Sequence, residues 1–253
     1  MRAGLYLAVR YYTRYFALSL GFSLLAPLLS GLLYAVGWVT TEGRADLDKF
    51  LYQMVGLVLL MVAQMATSSF LWELYNLMAG GQLEYLLASP THPLLLLVAY
   101  YVVQLAVFGS GFALSAAVVV AAIKGLAYGI ATLLSVFIAA ALSLPLIGIT
   151  LALAYLLPSL RDPSPITSLL NVGVVFFGGV LYPASILPEA LQLISALLPF
   201  ATWAEFVKMV ALNLQAPIRL LGPIGGYMLY FALGVFIWSI LIGTMRAFGR
   251  YYV

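Results

Sequence analysis

With 253 residues, 65% of them hydrophobic and 8% charged, and a mean hydropathy of +1.12, the chain is far more apolar than a soluble domain, where about a quarter of residues carry charge, and it reads as an integral membrane protein. The absence of cysteine and the single histidine exclude disulfides, thiolate zinc sites, iron–sulfur clusters, cysteine nucleophiles and multi-histidine metal centres. A formal net charge of +3 fits loop charge against anionic headgroups and falls short of the dense basic face that nucleic acid requires.

Residues 1–16 predict a helix lying in the headgroup layer. At helical spacing Arg2, Tyr6, Arg10, Thr13 and Arg14 share one side, and Leu5, Ala8, Val9, Tyr12, Tyr15 and Phe16 the other. A cleaved signal peptide is the alternative, but the apolar run that follows continues to about Val39, longer than a signal's apolar core. Six long apolar runs come next, at approximately 17–40, 50–72, 94–122, 127–157, 166–182 and 223–245. Each predicts a transmembrane helix, since about 20 apolar residues cross a bilayer, and the alternation of a membrane barrel is absent. The expected fold is an all-α membrane protein: one transmembrane domain over 1–253, six spans, the N-terminal interfacial helix, a cytoplasmic helical segment over 73–90, and a re-entrant hairpin with outer loop over 183–222. Arginines 2, 10, 14, 161, 246 and 250, set against Arg44, Lys49 and Lys124, favour cytoplasmic N- and C-termini by the positive-inside rule.

The segment between the second and third spans, from Glu73 to Pro90, carries information. Gly80-Gly81 breaks one helix and Ser89-Pro90 disfavours continuation of the next. Between them lies a helix of about two turns with Leu83, Leu86 and Leu87 at i, i+3 and i+4 on one face and Glu73 and Glu84 nearby. Two readings stand: the leucines dock into a groove on a cytoplasmic partner, or they lie on lipid or neighbouring helices. The run Glu73, then Gly81-Gln82-Leu83-Glu84-Tyr85-Leu86-Leu87-Ala88-Ser89-Pro90, resembles the cytoplasmic coupling segment of the membrane subunits of type 2 ATP-binding-cassette (ABC) exporters. That family usually has Thr where this chain has Gln82.

A second segment, Gly178 to Glu189 followed by Leu198-Pro199-Phe200 and Thr202, holds Pro183, Pro188 and Pro199 in an apolar stretch too short for two crossings. Prolines at this spacing cut it into half-helices that enter and leave on one side. Irregular backbone at membrane depth must pack on protein or line a cavity, so the hairpin should cap something. Gly179, Tyr182, Pro183, Leu187, Pro188 and Pro199 resemble the extracellular re-entrant hairpin between the fifth and sixth spans of the same exporters. Where that family commonly has an acidic residue followed by arginine, this chain has Glu205 and then Lys208 one turn on.

The resemblance implies a permease pairing with a second permease chain, identical or related, in the cell membrane. Each would recruit a separate cytoplasmic ATPase that holds ATP and Mg, with no cofactor bound by the permease itself. Gln53, Gln64, Gln104 and Asn171 lie within or at the ends of apolar spans. They are read as interhelical hydrogen-bond partners, or, with Glu205 and Lys208, as candidates for a pathway or gate. Glu205 and Lys208 most simply pair with each other, His92 reads as a loop residue at headgroup level, and Trp38, Trp72 and Trp203 as interfacial anchors.

The chain lacks a Gly-Lys-Ser/Thr phosphate loop, Gly-x-Ser-x-Gly and His-Glu-x-x-His, so ATP hydrolysis and the common intramembrane hydrolase chemistries are expected elsewhere. Competing readings are a membrane scaffold for a cytoplasmic partner and an ion-coupled secondary transporter. A scaffold has no need of the hairpin. An ion-coupled transporter calls for a carboxylate in mid-span, which the first four spans lack.

Overall fold

A computed structural model describes residues 6, 9, 10, 16–42, 46–83, 93–160 and 162–248. These form helices and connecting turns, with no strand among the described residues. Helix α1 (Phe16–Glu42) carries Pro27 in its interior. Helix α2 (Leu47–Ala79) begins where the Asp46 carboxylate accepts the backbone N–H groups of Asp48 and Lys49, two of the four donors that a helix start leaves unpaired. It ends at Gly80. The N–H groups of Gly80 and Gly81 close on the carbonyls of Asn76 and Met78, and Gly81 takes φ +67°, the left-handed geometry that glycine adopts without strain.

Helix α3 (Pro93–Lys124) and helix α4 (Leu126–Pro158) are joined by Gly125 alone, at φ +106°. A one-residue joint leaves the two helices folded against each other, and Gly129 marks their contact: a Cβ there would meet the Ala121 side chain at 2.5 Å. α4 turns at Leu142–Ser143 and tightens into a 3-10 turn over Ala154–Ser159. Asp162 then starts helix α5 (Ser164–Phe177) by accepting both the backbone N–H and the hydroxyl of Ser164; these two bonds hold its carboxyl below the usual range. Helices α6 (Glu189–Leu197) and α7 (Pro199–Asn213) meet at 85°, and helix α8 (Leu221–Phe248) completes the bundle.

Four helical stretches, Leu47–Ala79, Pro93–Lys124, Leu126–Pro158 and Ile218–Thr244, are long and apolar enough to cross a bilayer, and the bent pair α6–α7 would make a fifth. α1 and α5 stand where the sequence places the first and fifth spans; the apolar stretches recognised within them are Leu20–Leu29 and Ser164–Phe177. The expectations for the interfacial helix over 1–16, for Glu84, Leu86, Leu87, Ser89 and Pro90, and for His92 lie outside the described residues, apart from Tyr6, Val9, Arg10 and Phe16.

α2 is the axis of the molecule. Of its most apolar window 78% is buried inside the chain, against 22% for α8, and α1, α3, α4, α5 and α7 all pack on it. Its 33 residues make it about 50 Å long, against a hydrocarbon core of about 30 Å, so it projects beyond the apolar layer. Small residues let the other helices approach closely. A Cβ on Gly148 would overlap the backbone of Tyr230 and Phe231, one on Gly234 the backbone of Gly148, and one on Gly111 the side chain of Ser23. The α4–α8 crossing is therefore backbone against backbone.

Candidate functional site

At one end of the bundle, where α2 begins and α3 hands over to α4, the chain between α5 and α8 folds back as a hairpin. Gly178 sits where a Cβ would overlap the Val174 carbonyl, and Gly179 takes φ +57°. Pro183 is extended, Pro188 precedes the first residue of α6, and Pro199 opens α7, positions where a missing N–H costs nothing. Leu187 links the 3-10 turn Ala184–Ile186 to Pro188.

Irregular backbone leaves carbonyls without helical partners, and in an apolar layer side chains must supply the donors. The hairpin is built on that rule. The Phe176 carbonyl accepts from Tyr182 Oη (2.8 Å), Phe177 from Ser195 Oγ (2.7 Å) and Leu187 from Gln192 Nε2 (2.7 Å). On the α8 side, Tyr227 and Tyr230 donate to the carbonyls of Ala196 and Leu197, so both Tyr hydroxyls secure the 85° bend.

Lys208 makes the densest of these junctions. It projects inward from α7 with 4% exposure, and its Nζ donates to the carbonyls of Gly179 (2.9 Å) and Val180. Nζ also stands 3.4 Å from the centroid of the Tyr52 ring, while Tyr52 Oη donates to the same Gly179 carbonyl at 3.3 Å. Gly56, one turn along α2 from Tyr52, completes the contact; a Cβ there would overlap the Val180 carbonyl oxygen. Two carbonyls and an aromatic face are all acceptors, matching the three donors of an ammonium.

The expected Glu205–Lys208 ion pair is therefore corrected. The two residues lie three apart on α7 but point differently. Lys208 turns into the bundle, whereas Glu205 is exposed and faces a cleft of about 530 Å3 that it lines with Asp48, Tyr52, Lys124, Ser185 and Lys208. Lys124 closes on Asp48 at 2.7 Å across this cleft. Trp203 is also corrected: it is 2% exposed and its indole N–H donates to the Ala139 carbonyl at 2.9 Å, fixing α7 to α4 rather than anchoring in an interface.

Midway along α2 a five-residue π segment, Met65–Ser69, follows Gln64. Such segments free carbonyls from regular pairing, and here neighbours reach in. Thr150 Oγ1 lies 3.3 Å from the Ala66 carbonyl, and Ser68 Oγ donates to Asn171 Oδ1 at 2.9 Å. Asn171 thus joins α5 to α2, as an interhelical partner. Gln64 is half-buried beside this junction, and Gln53 is half-buried next to Tyr52. Tyr52, Gly56 and Thr150 were not singled out by sequence reasoning. A lone Tyr, Gly or Thr in an apolar run carries no signal of its partner.

At the opposite end of α2, Leu74, Leu77 and Met78 are buried and Glu73 is half-buried. Beyond Gly80–Gly81, Leu83 is 3% exposed and belongs to the main apolar core. Its side chain packs into that core, and Leu86 and Leu87 lie outside the described residues. The outward surface here comprises Trp72, Asn76, Ala79, Gly80 and Gln82, with the Trp72 and Tyr75 rings edge to face at 5.8 Å.

Taken together, these features define a multi-pass helical membrane protein with an internally bonded hairpin at one end and a glycine-broken helix terminus at the other. The family model of the ABC-2 type transporter matches residues 6–212, through both ends, and the chain belongs to that family. Members are membrane transport components, generally not catalytic themselves and generally associated with an ATP-binding subunit. Comparison with curated proteins finds no match.

Proposed function

We propose that the chain is the permease subunit of an ABC exporter in the cell membrane, forming with a second permease chain the path for a substrate driven across by a separate ATPase. In this reading the whole chain is one transmembrane domain of six spans, with α1 and α5 as the first and fifth. Both termini are cytoplasmic, the hairpin faces outward and residues 73–90 couple to the ATPase, which supplies the ATP and Mg site. Support comes from the family match across residues 6–212, and above all from α2, a single helix of 33 residues that joins the proposed coupling segment to the hairpin. A helix of about 50 Å moves as a lever, so a push at one end tilts the other. Leu83 serves that lever as its anchor, while the exposed Asn76 and Gln82 are offered to the partner.

Purification in mild detergent followed by mass spectrometry tests this directly. A soluble ATPase should co-purify in stoichiometric amount and be lost in Gln82→Arg or Leu87→Asp while the chain stays folded in the membrane. Isolation of the chain without an ATPase, repeated after gentle crosslinking, would sink the reading.

A further inference from the structure

We propose that Lys208 is a clamp that makes the first bend of the hairpin and helix α2 one mechanical body, so that the hairpin follows α2 instead of opening independently of it. Three separate pieces of chain converge on one nitrogen. The bend supplies the carbonyls of Gly179 and Val180, α2 supplies the Tyr52 ring, and α7 supplies the lysine itself. Gly56 shows how close the approach is: the Val180 carbonyl occupies the space where any other residue of α2 would carry its Cβ.

The clamp is polar, buried and directional, which distinguishes it from the packing around it. Hydrogen bonds from one buried ammonium to two carbonyls are charge-assisted and directional, so they weaken steeply when their geometry shifts. Parting the bend and α7 from α2 would take the Tyr52 ring from the buried ammonium and the Tyr52 hydroxyl from the Gly179 carbonyl, while parting the bend from α7 would leave the Val180 carbonyl without its donor. The second tie of the hairpin, from Tyr227 and Tyr230 to Ala196 and Leu197, lies at the other bend and on another helix. Lys208 therefore acts on the α2 side alone. It also sits in the wall of the 530 Å3 cleft lined by Tyr52 and Glu205, so the clamp sets whether the cleft keeps its shape when α2 tilts. The mechanical statement stands on this geometry; its consequence for transport rests on the permease reading above.

The chain has no cysteine, so introduced pairs can be spin-labelled cleanly. L47C and S185C place labels on exposed positions of α2 and the hairpin. With Lys208 present, the full chain in lipid nanodiscs should give one narrow distance population by electron paramagnetic resonance. Lys208→Met removes the donors, and Gly56→Ala pushes the bend away while leaving the lysine in place. Each should replace that population with a broad or two-peaked one, in preparations that remain monodisperse. In complex with the ATPase, the narrow distance should be the same without nucleotide and after vanadate trapping. A narrow, unshifted population in Lys208→Met, or a distance that shifts on trapping with Lys208 intact, overturns the clamp. The nanodisc comparison needs no ATPase, so it decides the clamp even where the permease reading fails.

Discussion

The two ends of α2 are held by opposite means. At the hairpin end, side-chain donors from α2, α6, α7 and α8 reach backbone carbonyls: Tyr52, Gln192, Ser195, Lys208, Tyr227 and Tyr230. At the Ala79 end the work falls to Leu74, Leu77, Met78 and Leu83, buried in the apolar core. The reason lies in the backbone. A helix that ends on glycine, as α2 does at Gly80–Gly81, closes its last carbonyls with its own N–H groups, and then needs apolar contact alone to be placed. A chain that bends at 57° of positive φ and again by 85° strands carbonyls that side chains must satisfy one by one. The same fold is thus brittle to apolar loss at one end and to hydroxyl or amine loss at the other.

The largest effect should come from the apolar end. Leu83→Asp buries a carboxylate without a partner in place of a core leucine; truncation alone costs about 2–5 kcal/mol, and an unpaired buried charge adds to it. We expect most of the chain to be lost from detergent extracts on mild heating, measured as the fraction remaining monodisperse. If Leu83→Asp were as heat-resistant as the parent, the anchor role of Leu83 would be wrong.

Next comes the double change Tyr227→Phe with Tyr230→Phe, which keeps both rings and removes two donors. Both bonds lie at exposed positions, where a hydrogen bond contributes about 0.5–1.5 kcal/mol, so the pair should lower the midpoint of thermal unfolding measurably, yet less than Leu83→Asp. Swapping the logic, removing apolar bulk at an exposed hairpin position such as Leu193→Ala, where the side chain is 70% exposed, should leave it unchanged. A hairpin more sensitive to Leu193→Ala than to the double tyrosine change would erase the contrast between the ends.

Trp203→Phe tests a junction between these extremes, because the indole is both buried bulk and a donor to Ala139. The ring replacement keeps most of the volume, so about 1–3 kcal/mol should be lost from the unpaired carbonyl and the small void together. Trp203 also shows what the sequence could not convey. Tryptophan near a span end reads as an interfacial anchor because that is where amphipathic rings usually lie, and nothing in its neighbours announces a carbonyl 64 residues upstream.

Lys208 misled in the same way. Its nearest charge in sequence is Glu205, and spacing of one turn favours a pair, but its acceptors are backbone atoms 28 and 29 residues away, and a carbonyl has no residue type to read. What was legible is what backbone chemistry writes into residue identity: Gly80-Gly81 as a helix end, and Pro183, Pro188 and Pro199 as the points where the hairpin breaks. The π segment at Met65–Ser69 has no such signature, which is why the Asn171–Ser68 bond stayed hidden.

The smallest effect is expected where charge is most visible. Asp48 and Lys124 approach to 2.7 Å at the mouth of the hairpin cleft, but the Asp48 side chain is 79% exposed and that of Lys124 27%. An exposed pair of this kind contributes about 0–1 kcal/mol and is screened by salt. Asp48→Asn should therefore lower the unfolding midpoint slightly at low ionic strength and leave it indistinguishable from the parent in molar salt. The tyrosine double change should cost the same in both buffers, since its lost bonds carry no net charge. A large, salt-independent cost for Asp48→Asn would mean that the hairpin end is held by charge after all, and that its carbonyl donors are secondary.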